Sequence, residues 1–196
     1  MTNRPRWFTE TNPGHSEWYI ERFRSLRREG ADLEGEARLV DAMVQPGSRL
    51  LDAGCGTGRL AGALHRRGHD VVAVDADPQL IAAARQDHPG PQFQVADLAE
   101  LDLDEDPFDL VVCAGNVMVF LAPGSEQRVL DRLRAHTRPG GRIVIGFRRE
   151  PYYSYDQFDE DVAATGLSLE YRFSTWSLDP FSAASTFAVS VLRVPS

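Results

Sequence analysis

The chain has 196 residues, 42% of them hydrophobic and 26% charged, which suits one globular domain with a full core. Its net charge of −8 argues against a broad nucleic-acid-binding face, and because its 21 basic residues are all arginine, P-loop, Schiff-base and nucleophilic lysines are excluded. No apolar run reaches the roughly 18 residues of a membrane span, no signal-peptide core is present, and the two cysteines give no disulfide framework or zinc pattern, so a cytoplasmic location is expected while the oligomeric state is left open.

Residues 1–15 are polar and broken by Pro and Gly, which predicts an irregular lead-in. Ser16 is expected to cap a helix over 17–28, where Tyr19, Ile20, Phe23 and Leu26 keep the helical period. His15, Tyr19 and Phe23 share one face of it, and Trp18 and Arg22 a neighbouring one. A second helix is expected over 33–43, stopped by Pro46-Gly47.

The apolar run at Leu50-Leu51 then reads as a buried strand. It passes through Asp52-Ala53-Gly54-Cys55-Gly56-Thr57-Gly58 into an amphipathic helix over 60–67, closed by Gly68. Strand, glycine turn and helix together bring backbone N–H groups close to a ligand. The spacing is GxGxG; the dinucleotide fingerprint would need glycine where Arg59 stands. A second strand over 70–74 ends at Asp75, placed about 20 residues beyond the turn to accept hydrogen bonds from ribose hydroxyls.

Asp77 and Pro78 open the next helix as N-cap and first position, and it runs through Arg85. Phe93-Gln94-Val95 is a short third strand, followed by Ala96-Asp97-Leu98. Residues 100–106 hold five carboxylates in seven positions and read as a solvated loop. A fourth strand over 108–113 leads into Ala114-Gly115-Asn116. That places these residues in the crevice at the carboxyl ends of the central strands, where open α/β sheets bind ligands.

A helix over 125–136 follows, then Pro139-Gly140-Gly141, a strand over 142–147 and the loop from Arg148 to Tyr155. A last helix over 155–165 precedes two alternating runs, 167–176 and 185–194, that read as a terminal antiparallel pair. The elements alternate as in an α/β fold.

The stretch from Asp52 to Gly58, followed by a strand ending at Asp75, resembles the class I S-adenosylmethionine-dependent methyltransferases, in particular the small single-domain bacterial type (type 11/25). The resemblance spans about residues 47–194. It implies a Rossmann-like seven-stranded sheet, order 3-2-1-4-5-7-6 with the last strand antiparallel, and helices on both faces. Residues 1–46 would be a helical cap on a core of 47–196.

The resemblance also implies a cofactor site for S-adenosylmethionine, with S-adenosylhomocysteine as its product. Its residues would be Asp52, Ala53, Gly54, Gly56 and Gly58 in the turn, Asp75 and Ala76 after the second strand, Asp97 and Leu98 at the adenine, and Ala114, Gly115 and Asn116. Trp18 or Tyr19 would wall the methionine end and Arg22 would pair with its carboxylate, if these aromatics are not simply packing anchors. The Asn/Asp-Pro-Pro-Tyr/Phe motif of amide- and base-methylating members is absent; Asn116-Val117-Met118-Val119 stands there.

Methyl transfer from a sulfonium needs chiefly alignment. A general base matters only if the acceptor must lose a proton, and His15, Tyr152, Tyr153 and Tyr155 are the candidates for it. The other histidines, His65, His69, His88 and His136, read as surface residues. Cys55 and Cys113 fall at adjacent strand ends, and no metal site is expected. Arg148 and Arg149 read as solvated loop arginines, or else one of them binds an anionic or carboxylate-bearing acceptor. The leading reading is a methyltransferase acting on a small molecule. The alternatives are a protein or RNA methyltransferase, or a protein that binds S-adenosylmethionine without methylating; an oxidoreductase is disfavoured by the glycine spacing.

Overall fold

The computed structural model describes residues 4–196. Seven strands, β1 (Arg49–Ala53), β2 (Asp70–Asp75), β3 (Gln92–Val95), β4 (Phe108–Cys113), β5 (Thr137–Arg148), β6 (Ser168–Phe173) and β7 (Phe187–Arg193), form one sheet. Its order is β3-β2-β1-β4-β5-β7-β6. β1 to β5 pair in parallel, and β7 runs antiparallel to both β5 and β6. Central parallel strands are covered on both faces and therefore read as continuous apolar runs; every residue from Val71 to Val74 is buried.

The lead-in is not wholly irregular. It holds a one-turn helix, α1 (Arg6–Thr9), and α2 (His15–Arg28) begins before Ser16, with Gly14 at φ +81° preceding it. The Ser16 hydroxyl does not cap that helix but donates to Asp77. One sheet face is covered by α3 (Gly35–Ala42), α4 (Arg59–Arg66) and α5 (Pro78–Asp87), packed with Leu50, Leu64, Ile81 and Leu110. The other is covered by α6 (Val117–Phe120), α7 (Glu126–Ala135) and α8 (Tyr155–Ala164), packed with Leu51, Phe108, Leu130, Phe147 and Phe158. Burying each such side chain contributes about 1.5–3 kcal/mol.

β5 is longer than expected, because Thr137 already pairs with Phe108 and the Pro139-Gly140-Gly141 stretch is absorbed as a register shift. The acidic loop is anchored: Leu101 is buried and Glu105 pairs with Arg49. Three histidines read as surface residues are buried. His69 Nε2 meets Asp41 at 2.9 Å, His136 Nε2 accepts from the Leu103 N–H at 3.0 Å, and His88 packs against the bare backbone of Gly62. Cys55 and Cys113 belong to opposite faces of the sheet, so the two thiols do not approach. Among the described residues no helix is long and apolar enough to cross a membrane.

Candidate active site

The turn after β1 carries Gly54, Gly56 and Gly58 at φ +82°, +55° and +75°, a region that strains any other residue. Space enforces glycine as well: a Cβ on Gly58 would stand 2.8 Å from the Phe93 ring, and one on Gly54 would meet Val117 at 2.4 Å. The N–H groups of Gly54 and Cys55 both donate to the Val74 carbonyl, at 2.8 and 2.9 Å, which holds the turn against β2. Asp52 is buried and accepts from the Ala61 N–H at 3.1 Å, tying β1 to the first turn of α4. Burial pushes its carboxyl up to about 7.

Asp75 ends β2 with both carboxylate oxygens held by backbone. Oδ2 accepts from the Gly56 N–H and Oδ1 from the Asp77 N–H, each at 2.9 Å. Burial raises its pKa to about 6 and these donors oppose the rise. Asp97 accepts from the Ala99 N–H at 2.9 Å and so fixes a short turn that buries Leu98.

These strand ends surround a cleft of about 640 Å³, part of it open to solvent. Of the residues expected from the sequence, it collects Gly54, Gly56, Asp75, Ala76, Asp97, Leu98, Ala114 and Gly115. Ala53 and Gly58 shape the turn behind it. Asp52 faces a smaller side cavity that also touches Tyr19, Arg59, Ala114 and Gly115. Asn116 lies behind the wall: its Oδ1 accepts from the Arg148 N–H at 2.7 Å, and its own N–H donates to Gly146 O at 3.3 Å. It joins the ends of β4 and β5.

Trp18 and Arg22 do not line the cleft. Trp18 is 53% exposed, stacked on His15, and the Arg22 guanidinium lies 5.3 Å from its ring centroid. The neighbouring residue Tyr19 is the one turned inward, with its ring 3.4 Å from where a Gly56 Cβ would stand. Its hydroxyl has no hydrogen-bond partner among the described residues, and burial pushes it up to about 12. Trp7 also lines the cleft and donates from Nε1 to Asp77 at 2.8 Å. Nothing in the lead-in sequence marks Trp7, whereas Tyr19 was legible as part of the inward face of α2.

The base candidates are committed elsewhere. Tyr153 is buried, donates to Asp161 at 3.0 Å and has its pKa raised by burial. Tyr155 donates to Phe147 O at 3.4 Å, and Tyr152 to Val119 O at 3.2 Å beneath Arg6. His15 sits between the Trp7 and Trp18 rings.

A crystal structure of a TehB-like SAM-dependent methyltransferase from Corynebacterium glutamicum superposes with a TM-score of 0.88 at 45% identity, covering 92% of this chain and 98% of that one. The chain belongs to the S-adenosylmethionine-dependent methyltransferases. Residues 50–141 match the family model described as a methyltransferase domain. A magnesium-protoporphyrin O-methyltransferase from Rhodobacter capsulatus is 39% identical over 126 residues, 60% of this chain and 54% of that protein. A demethylmenaquinone methyltransferase from Clavibacter sepedonicus is 35% identical over 102 residues, 50% of this chain and 40% of that protein. The chain spans about half the length of the first curated relatives it matches. S-adenosylmethionine is the cofactor of this family, and the cleft lies at the strand ends that carry the glycine turn and Asp75.

Proposed function

We propose that this cleft holds S-adenosylmethionine and that the chain transfers its methyl group to a small-molecule acceptor. The observation that carries the reading is Asp75, a carboxylate presented to the cleft by two backbone N–H groups beside the glycine turn. The residues fit the group. Asp75 suits a ribose diol, Asp97 a donor on the adenine edge, and Leu80, Leu98 and Val117 its planar faces. Tyr19 supplies an unpartnered hydroxyl at the methionine end. Glycine at 54, 56 and 115 leaves backbone open to the ligand.

When bound, S-adenosylmethionine supplies a methyl group activated as a sulfonium: the acceptor's lone pair forms the new bond to carbon while the carbon–sulfur bond breaks and sulfur keeps the pair. The chain's part is alignment and exclusion of water. Among the described residues the ionisable groups lining the cleft are Asp75, Asp97 and Tyr19, all assigned above to the cofactor. Two relatives named for small molecules, the magnesium-protoporphyrin and demethylmenaquinone enzymes, support a small-molecule acceptor, although others act on a carrier protein or a ribosomal protein by their names.

The test is calorimetric titration with S-adenosylhomocysteine of the native chain and of Asp75→Ala. Micromolar binding is expected, weakened by about tenfold or more in the variant, since hydrogen bonds to a charged group are worth about 1.5–3 kcal/mol. No binding at millimolar ligand would overturn the reading.

A further inference from the structure

We propose that the α2 face bearing Trp18 and Arg22, with Arg148 at the end of β5, forms the acceptor's entrance and recognises a planar small molecule carrying a carboxylate. This rests on the methyltransferase reading and names the substrate class of the same site.

The orientation of α2 is fixed by its partners. Ser16, Arg24 and Arg27 reach Asp77, Asp87 and His88, on or beside α5. Tyr19 and Phe23 turn inward, Tyr19 over Gly56 and Phe23 under the Arg59 guanidinium. At 3.6 residues per turn, His15, Trp18 and Arg22 are left on the side facing away from α5. α5 lies toward β2 and β3, and the strand order puts β4 and β5 on the opposite side of β1. The Trp18–Arg22 face therefore overlooks the carboxyl ends of β4 and β5.

At the end of β4 the backbone is bare. Gly115 touches both cavities, stands at φ +72°, and has nothing within 4 Å of where a Cβ would lie. Beyond it, Trp176 packs on Gly146. Arg148, two residues along, lies on the same face of the strand, its N–H held by Asn116.

Charge and exposure indicate what binds there. Among the described residues Arg22 makes no ion pair, and it rests on a half-exposed indole, although the chain carries eight more negative than positive charges. Arg148 is 64% exposed and, among the described residues, pairs only with Glu150 at 3.3 Å, a surface pair of little strength. A guanidinium fork matches a carboxylate, and an indole face offers planar apolar contact. The pattern is an exposed aromatic and a cation on α2 and a second exposed cation at the end of β5, with no carboxylate on Arg22 among the described residues.

The test begins by saturating the chain with S-adenosylhomocysteine; failure at this step overturns the methyltransferase reading itself. The loaded protein is then titrated calorimetrically with indole acetate and benzoate and with their carboxamides. At least one acid is expected to bind about tenfold or more tightly than its amide, as befits a charge-assisted pair. Arg22→Ala and Arg148→Ala should each remove most of that preference and leave S-adenosylhomocysteine affinity unchanged. The proposal falls if neither acid binds, if acids and amides bind alike, if the variants keep the preference, or if Arg22→Ala weakens S-adenosylhomocysteine instead.

Discussion

At the scale of single residues, Asp75 decides how the site responds to pH. Its carboxylate must be ionised to accept from two ribose hydroxyls, yet burial holds its pKa at about 6. Affinity for S-adenosylhomocysteine is thus expected to be flat above about pH 7 and to fall as pH drops through about 6, by up to tenfold per unit for one proton. Asp75→Asn should bind weakly and without that dependence. Calorimetry from pH 5 to 8 checks both; an Asn variant that keeps the wild-type pH profile would move the titration to another group. Asp75 was legible in the sequence because an acid at the end of a strand, at a set distance from a glycine turn, is a local pattern. Its raised pKa was not, since burial is set by the elements that close over it. The same reason hid the three buried histidines: each lies at a turn or helix end, and only packing with a distant segment, such as Gly62 for His88, takes it from solvent.

At the scale of elements, the surprise is α1. The seven-stranded order followed from the resemblance, and strand and helix positions followed from apolar runs and from caps such as Asp77, whose Oδ1 accepts from the Gln79 N–H at 2.8 Å. A single turn of helix has no readable period, so Arg6–Thr9 was invisible. It nonetheless walls the cleft, held through two adjacent side chains: Trp7 Nε1 donates to Asp77, and the Arg6 guanidinium donates to Leu121 O at 3.2 Å and lies over the Tyr152 ring. The Trp7 ring also meets Phe120 edge-on at 5.5 Å. With Trp7 as a cleft wall, this latch is expected to slow release of a bound nucleoside. Trp7→Phe keeps the ring and deletes the donor, leaving buried Asp77 with one partner fewer. Stopped-flow measurement should show S-adenosylhomocysteine leaving about tenfold faster, given the 1.5–3 kcal/mol of a charged hydrogen bond, with the association rate little changed. An unaltered dissociation rate would mean that α1 is a passive wall.

At the scale of the whole molecule, two buried carboxylates set stability against pH. Asp52 and Asp75 have folded pKa values of about 7 and about 6, both above the ordinary 3.8. The folded chain therefore holds protons there that the unfolded chain has shed. Their stabilisation is fully present below the unfolded pKa and is lost as pH rises through 6 and 7. His88 acts in the opposite sense: burial, with Arg27 nearby, lowers it from 6.5 to about 4, so its contribution is present above 6.5 and lost as pH falls toward 4. Between pH 7 and 5 two groups gain stability on acidification and one loses it. Each proton is worth at most about 1.4 kcal/mol per pH unit, so the ligand-free chain should grow more stable from pH 7 to pH 5, with the net slope of about one proton. Below that range the ion-paired carboxylates, Glu170 with its pKa lowered to about 2 by Arg142 foremost, begin to lose their pairs and the trend reverses. Asp52→Asn keeps an oxygen for the Ala61 N–H and removes one of the two gaining groups, leaving Asp75 and His88 nearly balanced. Urea unfolding of the ligand-free protein should then give a midpoint that rises from pH 7 to 5 in the native chain and stays level in the variant. A native midpoint that falls on acidification would show His88 outweighing both carboxylates.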